Sequence, residues 1–171
     1  LTLEKQPESM IVVGSGAIGS EFANFYHSIG TKVTLVEFLP NLVPNEDEEV
    51  SKALERSFKK AKMKILTNSS VEHVDTSGDL CKVTIKTPKG EEIHKAEIVL
   101  SAVGVTPNIE GIGLDELGIT IEKGKIKVDE FYRTNVAGVY AIGDIVGGPA
   151  LAHVASAEGI CCVEKIAGLD P

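Results

Sequence analysis

Three glycines and one acidic side chain have the spacing of residues that bind a ligand together. Gly14, Gly16 and Gly19 form a Gly-x-Gly-x-x-Gly run, and Glu37 follows 23 positions after Gly14. The first glycine permits a tight turn, the second lets the backbone approach a pyrophosphate, and the third lets a helix pack closely on a strand. The amide N–H groups that follow would face the phosphates at the positive end of a helix dipole. Glu37 would accept hydrogen bonds from adenosine ribose hydroxyls and repel a 2′-phosphate, so the pattern predicts NAD rather than NADP.

The elements that must position these residues occur in the required order. Residues 10–13 and 33–36 are predicted strands, and residues 17–29 are the predicted helix between them. A glycine turn alone fits any α/β protein, but with both strands, the helix and the terminal acid it describes a dinucleotide-binding βαβ unit. Glu21 extends the run to Gly-x-Gly-x-x-Gly-x-Glu. It is predicted on the first helical turn, where an acid also suits the helix dipole.

The segment after this unit predicts an amphipathic helix and then a series of strands. The helix begins at Asn45 or Glu46, and its apolar residues repeat at helical spacing. These residues are Val50, Leu54, Phe58 and Ala61. A strand at 63–66 precedes three strand-like segments at 70–75, 81–87 and 91–95, which predict an antiparallel meander.

The remaining segments predict shorter elements. A buried strand is predicted within residues 96–102 and one helical turn at 114–117, ending at Gly118. A hairpin around Lys123-Gly124, a strand at 139–142 and a helix from about Ala150 to Ala167 follow.

Composition and cysteine spacing argue against several classes of function. The chain has 17 basic and 25 acidic residues, a net charge of −8, and no basic cluster, so nucleic acid and anionic membranes are poor partners. No apolar run approaches the length of a transmembrane span. Cys81, Cys161 and Cys162 have neither Cys-x-x-Cys nor metal-ligand spacing, so we expect no metal site.

Four sequence blocks together resemble the pyridine-nucleotide:disulfide oxidoreductase family of flavoproteins. They are residues 14–21 with Glu37, residues 101–108 (SAVGVTPN), residues 134–144 (TNVAGVYAIGD) and residues 151–159 (LAHVASAEG). They cover essentially the whole chain in the family's order. The third block is typical of this group, and the last resembles the branch that oxidises dihydrolipoyl groups more than glutathione reductase.

The resemblance implies contacts with NAD. The counterpart of Glu21 lies close to the nicotinamide and flavin, Val71 matches a position whose backbone approaches the adenine, and Gly104 matches one near the nicotinamide. Glu37 is expected on the ribose. The turn that would hold NAD comprises Gly14, Ser15, Gly16, Ala17, Ile18 and Gly19.

The resemblance also implies part of an FAD site. Asp144 matches an acid that hydrogen-bonds the ribityl or ribose part of FAD. Ala150, Leu151, Ala152 and His153 match a segment that lies along the isoalloxazine ring, where a helix N-terminus could stabilise negative charge on reduced flavin. The matching contacts are mostly main chain, so no acid–base role is assigned to the His153 imidazole.

Several motifs of the family do not occur in this sequence. They are the redox-active Cys-x4-Cys pair, a separate FAD-binding glycine run and the His-Glu pair of a C-terminal interface domain. We therefore predict no catalytic residue here. Residues 1–128 are predicted to be an α/β, Rossmann-like NAD-binding domain with its meander. Residues 129–171 are predicted to be a strand–helix part of the FAD-binding domain of a longer enzyme.

For the whole enzyme, the resemblance implies oxidation of protein-bound dihydrolipoyl groups, with hydride passing from reduced FAD to NAD. The chain alone is expected to be inactive. The expected partners are NAD(H), the remainder of a homodimeric flavoenzyme and the lipoyl domains of 2-oxoacid dehydrogenase complexes. A bacterial cytoplasm is preferred to a mitochondrial matrix. Two alternatives stay open: a related flavoprotein such as an NADH oxidase or mercuric reductase, and a non-catalytic NAD-binding module.

Overall fold

The computed structural model describes residues 3–171, so the first two residues of the predicted NAD-binding domain lie outside it. The chain forms two compact units, the first ending at Gly104 and the second beginning at Val105. The predicted domain boundary after residue 128 lies inside the second unit, and that assignment stays a prediction.

The helices and strands are, in order, β1 (Ser9–Val13), α1 (Ala17–Ser28), β2 (Lys32–Val36), α2 (Glu48–Lys60), β3 (Lys64–Leu66), β4 (Ser70–Asp75), β5 (Cys81–Thr87), β6 (Gly90–Ala96), β7 (Ile98–Ser101), β8 (Ile121–Glu122), β9 (Lys125–Ile126) and α3 (Ala152–Ile166).

A four-stranded parallel sheet in the order β3-β2-β1-β7 forms the centre of the first unit. Alternate residues of β1 point to opposite faces of the sheet, and both faces are covered. Met10 and Val12 pack in a cluster with Ala23 of α1 and Phe58 of α2. Ile11 packs on the other face against the meander β4-β5-β6. Burial on both faces explains why residues 10–13 of β1 are an uninterrupted apolar run.

The second unit has a smaller core and shorter elements. The predicted hairpin is present as β8 and β9, with Ile121 opposite Ile126. Ile119, Ile126 and Ala141 form the buried cluster. The longest element of the second unit is α3. No helix within residues 3–171 has both the length and the apolar character needed to cross a membrane.

Three predicted details of the first unit are wrong. Helix α2 begins at Glu48 rather than at Asn45 or Glu46, because Asp47 caps it by accepting a 2.8 Å hydrogen bond from Glu49 N–H. Val50, predicted on the apolar face, is 52% exposed, and Ser51 is buried instead. Strand β7 is only half-buried, because it is an edge strand that pairs with β1 alone.

One predicted element of the second unit is absent, and another is present only as a single turn. Residues 139–142 form no strand, since only an isolated bridge joins Arg133 to Tyr140 and no ladder extends it. The predicted helical turn at 114–117 is present as a single turn, in which Leu117 N–H donates to the Gly113 carbonyl and Ile119 N–H donates to the Leu114 carbonyl. Gly118 ends that turn at φ +67°, as a residue that reverses the chain should.

Candidate functional site

A cleft of about 530 Å³ opens at the carboxyl ends of β1 and β2. Parallel strands present these ends at one edge of the sheet, which is where α/β proteins commonly bind ligands. The cleft brings together six of the residues singled out from the sequence: Gly14, Ser15, Gly16, Glu37, Val71 and Gly104. They come from four separate segments of the chain.

The three glycines of the turn are there for different reasons. Gly14 has φ +94°, and a Cβ there would lie 2.5 Å from the Ala102 carbonyl oxygen. At Gly19 a Cβ would lie 1.9 Å from the Gly14 carbonyl oxygen, so the fold requires both glycines. Gly16 has an ordinary φ of −59°, and a Cβ there would meet no atom within 4 Å. Neither the backbone nor the packing requires a glycine at position 16, whereas the close approach of a ligand would.

The N-terminus of α1 follows this turn. Gly16 is its N-cap, and no side chain caps the helix. The first hydrogen bond inside the helix runs from Ser20 N–H to the Gly16 carbonyl, over 2.9 Å. The N–H groups of Ala17, Ile18 and Gly19 therefore lack intrahelical acceptors at the positive end of the helix dipole. Such an end binds anions.

Glu37 is 6% exposed and is hydrogen-bonded within the protein. Its Oε2 accepts from the amide N–H and the Oγ–H of Ser15, over 2.8 and 2.7 Å. Its Oε1 accepts from Leu39 N–H over 2.8 Å. Sequence reasoning anticipated the position of this carboxylate but not its donors. The serine inside the glycine run was the available signal.

Glu21 lies elsewhere than the sequence suggested. It is the fifth residue of α1 and is exposed, so the prediction that it occupies the first helical turn is wrong. Helix α1 begins at Ala17 as predicted, but its first turn ends before position 21, so Glu21 belongs to the second turn. Glu21 does not line the cleft.

The residues expected at FAD all belong to the second unit. Asp144 is exposed on a 3-10 turn, Gly143–Ile145. Helix α3 begins at Ala152, with Leu151 as an N-cap that makes no side-chain hydrogen bond. Ala150 and His153 are exposed beside it.

A buried carboxylate supports this 3-10 turn, and sequence reasoning gave it no role. Glu158 of α3 is 9% exposed, and its Oε2 accepts a 2.6 Å hydrogen bond from Gly143 N–H. Gly143 has φ +77° and directly precedes Asp144. Glu158 therefore fixes the backbone from which Asp144 projects.

The second unit also contains a larger cavity, of about 570 Å³, lined by residues between 106 and 124. None of the predicted site residues lines it. Within residues 3–171, no group of three or more His, Cys, Asp or Glu side chains is arranged to hold a metal ion.

A family profile described as pyridine nucleotide-disulphide oxidoreductase matches residues 1–159. The chain belongs to this family. Curated relatives within it are dihydrolipoyl dehydrogenases. The protein of Rhizobium etli is 46% identical over 95% of this chain and 34% of its own length. The mitochondrial protein of Pisum sativum is 44% identical over 98% of this chain and 34% of its own length. The resemblance stated from the four blocks is confirmed.

Solved structures share the fold. The crystal structure of LpdA from Mycobacterium tuberculosis has a TM-score of 0.88 and 32% identity, covering 98% of this chain and 36% of that one. The flavoprotein disulfide reductase RclA from Escherichia coli, at 22% identity and a TM-score of 0.88 over 97% of this chain and 38% of that one, agrees in fold alone. The α/β fold with its parallel sheet and antiparallel meander is confirmed. The chain spans about a third of the length of the curated relatives it matches.

Proposed function

We propose that this chain is the NAD-binding portion of a dihydrolipoyl dehydrogenase. The observation that carries the proposal is Gly16, a glycine that the fold does not require, at the uncapped start of a helix and in the same cleft as Glu37. The space that a Cβ would fill there suits a pyrophosphate, and the free N–H groups suit its charge.

The cleft fits a dinucleotide in size and in the placing of its polar groups. Its volume of about 530 Å³ falls in the usual range of ligand pockets, roughly 300–1,000 Å³. Glu37 would accept from the adenosine ribose, and Val71 and Gly104 would lie towards the adenine and nicotinamide ends. NAD when bound would supply the hydride acceptor, while the chain binds and orients it.

The second unit is proposed to form one part of an FAD site. Asp144 would accept hydrogen bonds from the ribityl or ribose hydroxyls, held in place by Glu158 through Gly143. The uncapped start of α3, from Ala150 to His153, would place main-chain N–H groups beside the flavin ring. A site of which only a part is present should bind FAD weakly.

The exposed face of α3 supports a larger protein. Ile160, Val163 and Ile166 are 61%, 63% and 55% exposed and lie on one side of the helix, and apolar side chains grouped on an exposed surface mark a place where another part of a protein packs. The curated relatives are about three times as long as the chain, so the remainder of such a polypeptide is the proposed covering. In that whole enzyme we place dihydrolipoyl oxidation, dimer formation, contacts with lipoyl domains and a cytoplasmic location.

Titration of the purified chain with NADH and with NADPH, followed by nucleotide fluorescence, tests the proposal. We expect saturable binding that favours NADH, because Glu37 repels a 2′-phosphate. The Gly78→Ala variant is a suitable control, since Gly78 lies in the turn after β4 and a Cβ there would meet only Leu80 O, at 3.9 Å. No saturable binding of NADH would refute the proposal.

A second assay tests the proposed inactivity of the chain by itself. The three cysteines are Cys81, Cys161 and Cys162, so no Cys-x4-Cys pair is available to exchange with a dithiol. We expect no NAD-dependent turnover of dihydrolipoamide by the purified chain. Measurable turnover would contradict this part of the proposal.

A further inference from the structure

Ser15 joins the glycine turn to Glu37 through two hydrogen bonds to the same oxygen. Its amide N–H and its Oγ–H both donate to Glu37 Oε2, over 2.8 and 2.7 Å. Leu39 N–H donates to Oε1 over 2.8 Å. Ser15 is fully buried and Glu37 nearly so. Together these three donors hold the carboxylate in one orientation.

The donors also determine which oxygen is free for a ligand. A carboxylate has about four acceptor positions, two on each oxygen. Ser15 fills both positions on Oε2, and Leu39 fills one on Oε1. The remaining position is on Oε1, so this oxygen is the one left to accept from a ribose hydroxyl.

We propose that Ser15 is a positioning residue that sets the choice between NAD and NADP by holding Glu37 in place. This inference rests on the proposed function. Glu37 is assigned to the adenosine ribose, next to the place where the 2′-phosphate of NADP would lie. NADP could therefore bind only with this phosphate in contact with the Glu37 carboxylate, or after the carboxylate had rotated away. Rotation would break both bonds to Ser15 and leave its buried N–H and Oγ–H without an acceptor, which opposes the movement.

Loss of the Ser15 hydroxyl should therefore act on selectivity more than on binding in general. In Ser15→Ala one of the three hydrogen bonds that hold the carboxylate is gone, and the carboxylate can turn away from a 2′-phosphate more easily. NADH does not require that rotation. The ratio of the NADPH and NADH dissociation constants reports the difference.

Ser20 provides a matched control from the same hydrogen-bonded network. It is 6% exposed, and its Oγ–H donates to the Ser15 carbonyl oxygen over 2.8 Å. Its hydroxyl makes no hydrogen bond to Glu37. Ser20→Ala therefore removes a buried hydroxyl of the same kind without freeing the carboxylate.

The experiment measures both dissociation constants for the unmodified chain, Ser15→Ala and Ser20→Ala, with circular dichroism to confirm that each is folded. We expect Ser15→Ala to lower the ratio of the NADPH to the NADH dissociation constant about fivefold. This is the change expected from the loss of one buried hydrogen bond. Ser20→Ala should leave the ratio unchanged. A change in folding alone would weaken the binding of both nucleotides and leave their ratio as it was.

A double-mutant cycle shows whether Ser15 acts through the carboxylate. In a Glu37→Ala background, Ser15→Ala should no longer change the ratio. If Ser15→Ala alone leaves the ratio unchanged, or Ser20→Ala lowers it equally, the inference is overturned while the proposed function stands. An unmodified chain that binds neither nucleotide would instead refute the proposed function.

Discussion

The carboxylate of Glu158 accepts a 2.6 Å hydrogen bond from the backbone N–H of Gly143, fifteen residues earlier in the chain. Glu158 is 9% exposed, and Gly143 has φ +77°. A backbone N–H bonded to a charged acceptor is held more strongly than one bonded to a neutral group. This pair connects α3 to the turn that carries Asp144.

Replacement of Glu158 should loosen this turn. Glu158→Ala leaves Gly143 N–H without its acceptor, so we expect the free energy of unfolding of the second unit to fall by about 1.5–3 kcal/mol. Hydrogen exchange at the Gly143 amide should become faster. Glu164→Ala, also on α3 but without a side-chain hydrogen bond in the described structure, is the control. Unchanged exchange at Gly143 in Glu158→Ala would show that the bond contributes nothing.

Tyr132 should report the charge of Glu158. Burial, followed by the negative charges of Glu158 and the two neighbouring cysteines, raises the pKa of the Tyr132 phenol above its ordinary value of 10.0. The neutral phenol is thereby favoured in the folded chain. Its contribution to stability is present below pH 10 and is lost as the pH rises through the raised pKa.

Glu158→Gln should therefore lower the pKa of Tyr132 towards 10.0. The part of the shift that is due to burial should remain. Phenolate absorbance during a pH titration, with Tyr132→Phe subtracted to isolate this residue from the other tyrosines, measures the shift. A pKa that stays the same in Glu158→Gln would contradict the assigned role of its charge.

Gly16→Ala should separate nucleotide binding from folding. A Cβ at Gly16 meets open space and the backbone is unstrained, so we expect the free energy of unfolding to change by less than about 1 kcal/mol. The same Cβ would occupy the place assigned to the pyrophosphate, so NADH affinity should fall by about tenfold or more. Gly14→Ala provides the contrast, because φ +94° and the 2.5 Å approach to Ala102 O make it disrupt the fold itself. If Gly16→Ala binds NADH as tightly as the unmodified chain does, the nucleotide does not bind beside Gly16.

Local patterns in the sequence predicted the first unit well. The βαβ unit around the glycine turn was recognisable because strand, turn and helix each have a short-range signal, and Glu37 lies at a fixed place after β2. The meander was likewise recognisable from short strand-like segments separated by turn residues. These features depend on neighbours within one element, which a sequence displays directly.

The hydrogen bonds of the site could not be predicted in the same way. Ser15 meets Glu37 across 22 residues, and Glu158 meets Gly143 across 15, so no helical or strand periodicity connects the partners. The start of α2 was missed because Asp47, rather than an earlier residue, makes the capping bond. The strand expected at 139–142 failed for a related reason: a strand needs a ladder of partners, and only Arg133 bridges to Tyr140.

The central claim is that NADH binds in the cleft beside Gly16. Addition of NADH to the 15N-labelled chain, followed by amide chemical shifts, tests it most directly. The claim predicts saturable shifts concentrated at Gly14, Gly16, Glu37, Val71 and Gly104, all of which line that cleft. Shifts concentrated instead at residues 106–124, around the larger cavity of the second unit, would contradict it.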